Sequence, residues 1–123
     1  MTTAAGRILV VDDTPQNVLL LADLLTSKGF AVTTAASGAE ALERIAHQPF
    51  DLVLLDVVMP GVDGWQLLQK LQELHGSIPV IMFSGKVDER SAAEAEERGA
   101  HAFVGKPFDP QELLNRAKAL VPV

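Results

Sequence analysis

Four short apolar runs recur along the chain, Ile8-Leu9-Val10-Val11, Leu52-Val53-Leu54-Leu55, Val80-Ile81-Met82-Phe83 and Ala102-Phe103-Val104, with helix-like segments between them. Continuous apolar runs of this length, bounded by turn residues, are the pattern of parallel strands buried on both faces. Polar residues follow each run: Asp12-Asp13, Asp56, Ser84 and, one glycine on, Lys106-Pro107. Functional groups of an open parallel α/β sheet gather outside the carboxyl ends of its strands. Three carboxylates, a hydroxyl and an ammonium are thereby offered to one rim, a set that suits a divalent metal beside a phosphoryl group.

The segments between the runs carry their own start and stop signals. Residues 7–11 form a first strand, and Asp13-Thr14-Pro15 supplies a cap residue followed by proline at the first helical position. The helix that follows has Val18, Leu21, Ala22 and Leu25 on one stripe and stops at Gly29, a natural residue just past a helix end. Leu19 and Leu20 widen the stripe beyond one sheet face; such leucines are more often core than interface, and they leave a homodimer open. Residues 31–35 make a weaker strand at an edge, and Ser37-Gly38-Ala39-Glu40 has capping-box spacing. The most apolar strand follows Pro49-Phe50-Asp51 and ends at Asp56. Asp63 then caps a third helix carrying Leu67, Leu68, Leu71 and Leu74.

A fourth strand is expected over 78–83, and a fourth helix, around 89–98, has only alanines to bury and is expected to be held loosely. The fifth strand falls at 101–104. Asp109-Pro110-Gln111-Glu112 opens a fifth helix with Leu113, Leu114, Ala117 and Leu120 on its core face. Strict alternation of strand and helix, five times over, predicts an α/β parallel sheet with right-handed crossovers and helices covering both faces.

With 123 residues the chain fits one domain, spanning 1–123 with a flexible start over 1–6. Cysteine is absent, which removes thiol catalysis and thiolate metal sites and fits a cytoplasmic protein. A formal net charge of -6 without a basic stripe disfavours direct binding to nucleic acid. No apolar run approaches the roughly 20 residues a membrane span needs, so no membrane insertion is expected.

Magnesium is hard and octahedral, and is held by one or two carboxylates with phosphate oxygens and water. Asp12, Asp13 and Asp56 can supply such a site, completed by the backbone carbonyl of Val58; Mn2+ suits the same donors. A carboxylate can form an acyl phosphate without first losing a proton, and Asp56 is the best-placed nucleophile. Lys106 and Ser84 can stabilise charge on the phosphoryl oxygens. Taken singly, Asp13 reads as a helix cap, Ser84 as a loop serine and Lys106 as a surface lysine; only together do they indicate a site. His47, His75 and His101 lack ligand spacing, and Trp65 suits a partner contact or a half-buried structural role equally.

The strings Ile8-Leu9-Val10-Val11-Asp12-Asp13, Asp56-Val57-Val58-Met59-Pro60-Gly61-Val62-Asp63-Gly64, Ser84-Gly85 and Lys106-Pro107-Phe108 closely resemble the CheY-like receiver domains of two-component response regulators. The resemblance implies a doubly wound, five-stranded, flavodoxin-like α/β sheet of order 2-1-3-4-5. It makes Asp56 the phosphoacceptor, Asp12 and Asp13 Mg2+ ligands, Ser84 the switch hydroxyl, Lys106 the phosphoryl-stabilising lysine and Phe103 the aromatic switch. The Lys106-Pro107 bond becomes a cis candidate.

The implied partners are a sensor histidine kinase or histidine phosphotransfer protein, and a downstream protein docking on the fourth helix, fifth strand and fifth helix. The only catalysis implied is the domain's own phosphorylation and dephosphorylation. Val58 and Lys86 occupy positions that tune acyl-phosphate lifetime, and an apolar Val58 implies slow loss. The chain's start and the lack of a helix-turn-helix segment favour a stand-alone protein over a receiver cut from a hybrid kinase or multidomain regulator. A phosphorylation-independent scaffold is a further alternative. So is an Mg2+-dependent phosphohydrolase, although Val58 cannot act as the second acid that chemistry needs.

Overall fold

The computed structural model describes residues 6–56, 64–75, 78–84, 93–94, 96–100, 102–105 and 110–120. Within them the order is β1 (Arg7–Val11), α1 (Pro15–Ser27), β2 (Ala31–Ala35), α2 (Gly38–His47), β3 (Leu52–Asp56), α3 (Gly64–His75), β4 (Val80–Ser84), β5 (Ala102–Gly105) and a last helix, Pro110–Leu120. The strands pair in parallel throughout, in the order β2-β1-β3-β4-β5. This is the expected doubly wound sheet, with β2 at an edge.

Alternation along each strand divides the core in two, because successive side chains point to opposite faces. Leu9, Val11, Val53, Leu55, Val80 and Met82 meet Ala41 and Ile45 of α2 and Leu67, Leu68 and Leu71 of α3. Ile8, Val10, Leu52, Leu54, Ile81 and Phe83 meet Leu21 and Leu25 of α1 and Leu113, Leu114 and Ala117 of the last helix. Helices thus cover both faces of the sheet. None among the described residues is long and apolar enough to cross a membrane.

Several element ends differ from the sequence expectation. β4 begins at Val80 rather than at residue 78: Pro79 has no N–H to give, although its carbonyl accepts from Val53 N–H at 3.0 Å. β5 lies one residue later than expected and ends at Gly105, paired with Ser84. Gly6 closes the segment expected to be flexible, yet it is buried and its carbonyl accepts from Ala31 N–H at 2.9 Å; residues 1–5 lie outside the described residues.

Leu19 and Leu20 are not core: they are 63% and 49% exposed. A single sheet face takes only one stripe of α1, and Leu21 and Leu25 fill it.

Helix ends follow local chemistry. α1 closes with Gly29 N–H on the Thr26 carbonyl and Phe30 N–H on the Leu25 carbonyl, the paired bonds of a Schellman motif. Gly29 takes φ 98° there, and Phe30 is buried behind it. α2 opens with the Ser37 side chain accepting from Glu40 N–H at 3.2 Å; the return bond of the expected capping box goes from Ala36 N–H to Glu40 at 3.4 Å.

Of the expected fourth helix, residues 93–94 and 96–97 are described and helical. The segment ends at Gly99, at φ 95°, where a Cβ would collide with the Gln72 amide of α3. Arg98 lies over the Trp65 ring at 5.2 Å. Trp65 is half-buried against the α2–α3 core, the structural one of its two readings. The expected caps Asp63 and Asp109 lie outside the described residues.

Candidate functional site

Because every strand runs the same way, β1, β3, β4 and β5 end along one edge of the sheet. Val11 of β1 is paired with Leu55 of β3, so the next residues, Asp12 and Asp56, leave adjacent strands together. Carboxylate oxygens of Asp12, Asp13 and Asp56 lie within 4.8 Å of one another. Asp12 is fully buried and Asp56 is 4% exposed; among the described residues these are the only buried polar or charged side chains. Packing gains nothing from two carboxylates at such positions, so their presence calls for a chemical reason.

Main-chain geometry holds Asp12 in place. Its N–H donates to the Ala35 carbonyl at 3.1 Å, carrying the β1–β2 ladder one residue beyond the strands. Pro15 restricts the residue before it to extended backbone, and Thr14 has φ -95° and ψ 108°. Thr14 N–H then donates to Asp12 Oδ1 at 2.9 Å, a side-chain turn closed two residues on. Asn17, in the first turn of α1, donates its Nδ2 to Asp12 Oδ2 at 3.1 Å. The residue at the cap position of α1 is therefore Thr14, without a side-chain cap bond, and not Asp13. Asp13 stays exposed and belongs with the other two carboxylates.

Close carboxylates repel. At an effective dielectric of about 20, two full charges at this spacing cost roughly 3 kcal/mol, less for pairs involving exposed Asp13. A divalent cation relieves that repulsion, and an all-oxygen, anionic donor set fits Mg2+ or Mn2+.

Ser84 closes β4 and is paired with Gly105, on the same edge as Asp56, which is paired with Phe83. Its hydroxyl lies outside what the structure describes, as do Val58, Lys86, Lys106 and Pro107. Phe103 is half-buried on β5, against the α2–α3 core. His47 is exposed, with Nδ1 2.8 Å from the Glu43 carbonyl of its own helix, as expected of a surface residue. Asn17 escaped the sequence reading. The available signal was an amide at the third position of a helix whose start Pro15 fixes, five residues after an aspartate at a strand end.

Residues 8–118 match the response regulator receiver domain family. The chain belongs to that family. As a receiver domain of two-component signalling it is 36% identical over 115 residues to the transcriptional activator protein IrlR of Burkholderia pseudomallei, covering 94% of this chain and 50% of that protein. To the transcriptional regulatory protein ResD of Bacillus subtilis it is 36% identical over 119 residues, covering 97% and 49%. The receiver chain thus spans about half the length of the curated relatives it matches.

Among solved structures, the receiver domain of the Francisella response regulator 1452 superposes with TM-score 0.90 at 30% identity, covering 94% of this chain and 95% of that one. The Vibrio cholerae chemotaxis protein CheY4 gives TM-score 0.89 at 28% identity, covering 96% and 100%.

Proposed function

We propose that Asp56 of this receiver domain accepts a phosphoryl group from a sensor histidine kinase or a histidine phosphotransfer protein. The observation that carries this reading is the convergence of buried Asp12 and Asp56 with exposed Asp13 within 4.8 Å at the carboxyl edge of the sheet. Asp12 has each carboxylate oxygen engaged by a donor of the β1–α1 turn, which suits a fixed ligand. Asp56 ends the middle strand of the sheet, flanked by β1 and β4, which suits the group that receives.

As an Asp56 carboxylate oxygen bonds to phosphorus, the nitrogen–phosphorus bond of the donor breaks and its electron pair returns to the imidazole. The carboxylate has no proton to lose, so no general base is required. Asp12, Asp13, Asp56 and the Val58 carbonyl would hold Mg2+ or Mn2+, which when bound neutralises charge on the phosphoryl oxygens. Lys106 and Ser84 do the same from the neighbouring strand ends. Lys106 follows directly on β5, and we carry over a cis Lys106-Pro107 bond from the family pattern.

Phosphorylation adds about 1.5 to 2 negative charges, by analogy with phosphorylated hydroxyls. The new oxygens draw Ser84 toward them, Phe103 turns into the space released, and the face built from the fourth helix, β5 and the last helix changes its partner. Output is to a protein, since this acidic domain offers DNA no basic stripe; the transcriptional names of IrlR and ResD belong to chains twice as long. We place the domain in the cytoplasm, with no catalysis beyond its own phosphorylation and dephosphorylation, whether it stands alone as one domain or within a larger regulator.

Incubation with Mg2+ and acetyl phosphate, followed by intact mass, tests the reading. One phosphoryl gain is expected, absent from Asp56→Ala and abolished by EDTA. No gain from either a small donor or a phosphorylated histidine protein, with the fold intact, would instead support a phosphorylation-independent scaffold.

A further inference from the structure

We propose that Asn17 is a positioning residue for Asp12 and, through it, for the divalent cation; the inference rests on the metal-assisted reading above. Asp12 is fully buried, and its two oxygens take separate donors, Thr14 N–H at 2.9 Å and Asn17 Nδ2 at 3.1 Å. A carboxylate held by one oxygen still rocks about its terminal torsion, which is broad. Donors on both oxygens fix the plane.

The two donors differ in kind. Thr14 gives a backbone N–H that any residue at that position other than proline would supply, whereas the second donor depends on the Asn17 side chain. An amide suits this position because it donates without adding charge. A lysine here would cancel the negative charge the cation requires, and a carboxylate would add a fourth acid to three that already repel. A carboxylate offers about four lone-pair sites, so accepting hydrogen bonds and ligating a cation are compatible in one group. Asn17 is itself half-buried in the first turn of α1, on a rigid element.

Partners that orient a metal ligand typically contribute 10–100-fold in metal affinity. The test is Mg2+ affinity of the purified protein by calorimetry, with Mn2+ paramagnetic resonance as an independent readout, alongside thermal unfolding without metal. Asn17→Ala and the nearly isosteric Asn17→Leu should each bind Mg2+ about tenfold more weakly. Asn17→Gln, which keeps the amide donor, should regain part of that loss. A purely structural residue would lower the unfolding temperature and leave metal affinity unchanged. If Asn17→Ala and Asn17→Leu fold and bind Mg2+ as tightly as the parent, or more tightly, the proposal is overturned while the receiver reading stands. If the parent protein binds no divalent cation, the metal-assisted reading itself fails.

Discussion

Three aspartates share one edge, but their surroundings differ. Asp12 is buried and tethered at both oxygens, Asp13 is exposed, and Asp56 is nearly buried at the end of a strand with neighbours on both sides. The family pattern assigns a fourth residue, Val58, to the neighbourhood of the phosphoryl group, where an apolar side chain can neither orient nor activate water. Asp56 phosphate is therefore expected to be long-lived, and Val58→Asn should hasten its loss by about tenfold, equivalent to ~1.4 kcal/mol of barrier. The decay of the phosphorylated mass after donor removal measures this; fast loss unaffected by the substitution would contradict it.

The acidic residues were legible in the sequence because each ends an apolar run. Asn17 and the true cap position were not. Which of Asp13 and Thr14 precedes the helix turns on the backbone that Pro15 imposes on its neighbour, and a composition pattern does not carry that.

Among the helices of the described residues, α1 departs most from its sequence reading. Val18, Leu21, Ala22 and Leu25 recur at helical spacing, but Leu19 and Leu20 lie about 100° and 200° around from Val18, beyond the stripe one sheet face can cover. Among the described residues no second layer packs over them, and both remain exposed. If Asp56 takes its phosphoryl group from a partner protein as proposed, these exposed apolar side chains, on the helix that starts three residues after Asp12, are where that protein would dock. Leu19→Glu and Leu20→Glu should leave unfolding free energy within about 0.5 kcal/mol of the parent. They should slow transfer from a histidine-phosphorylated partner while leaving acetyl phosphate labelling unchanged. Equal slowing with both donors would place the effect in the site and not in docking.

Exposed ion pairs contribute little to these elements. Glu40–Arg44, Glu94–Arg98 and Glu112–Arg116 are all four residues apart on their helices, and such pairs are worth about 0.3–0.5 kcal/mol each. The helices are held by the apolar stripe each lays on the sheet.

The sheet is what joins chain positions more than 40 residues apart into one site. Alternating runs in the sequence predict a parallel sheet covered on both faces, and the weak residues 31–35 identify an edge strand. The pattern alone does not say which strands are neighbours; the order with β1 and β3 adjacent, which brings Asp12 beside Asp56, came from the family resemblance and is the order found. Strand ends were legible to within one or two residues, the error at β4 arising where Pro79 interrupts the donors of an otherwise apolar run. With three carboxylates within 4.8 Å, intact mass alone does not say which one is phosphorylated.

Borohydride reduction of the acyl phosphate, which converts the phosphorylated carboxyl to an alcohol, followed by peptide mass mapping, identifies the carboxyl directly. The fold and the tethering of Asp12 predict reduction at Asp56 alone. Reduction at Asp12 or Asp13, with Asp56 unmodified, would contradict the assignment of roles within the cluster.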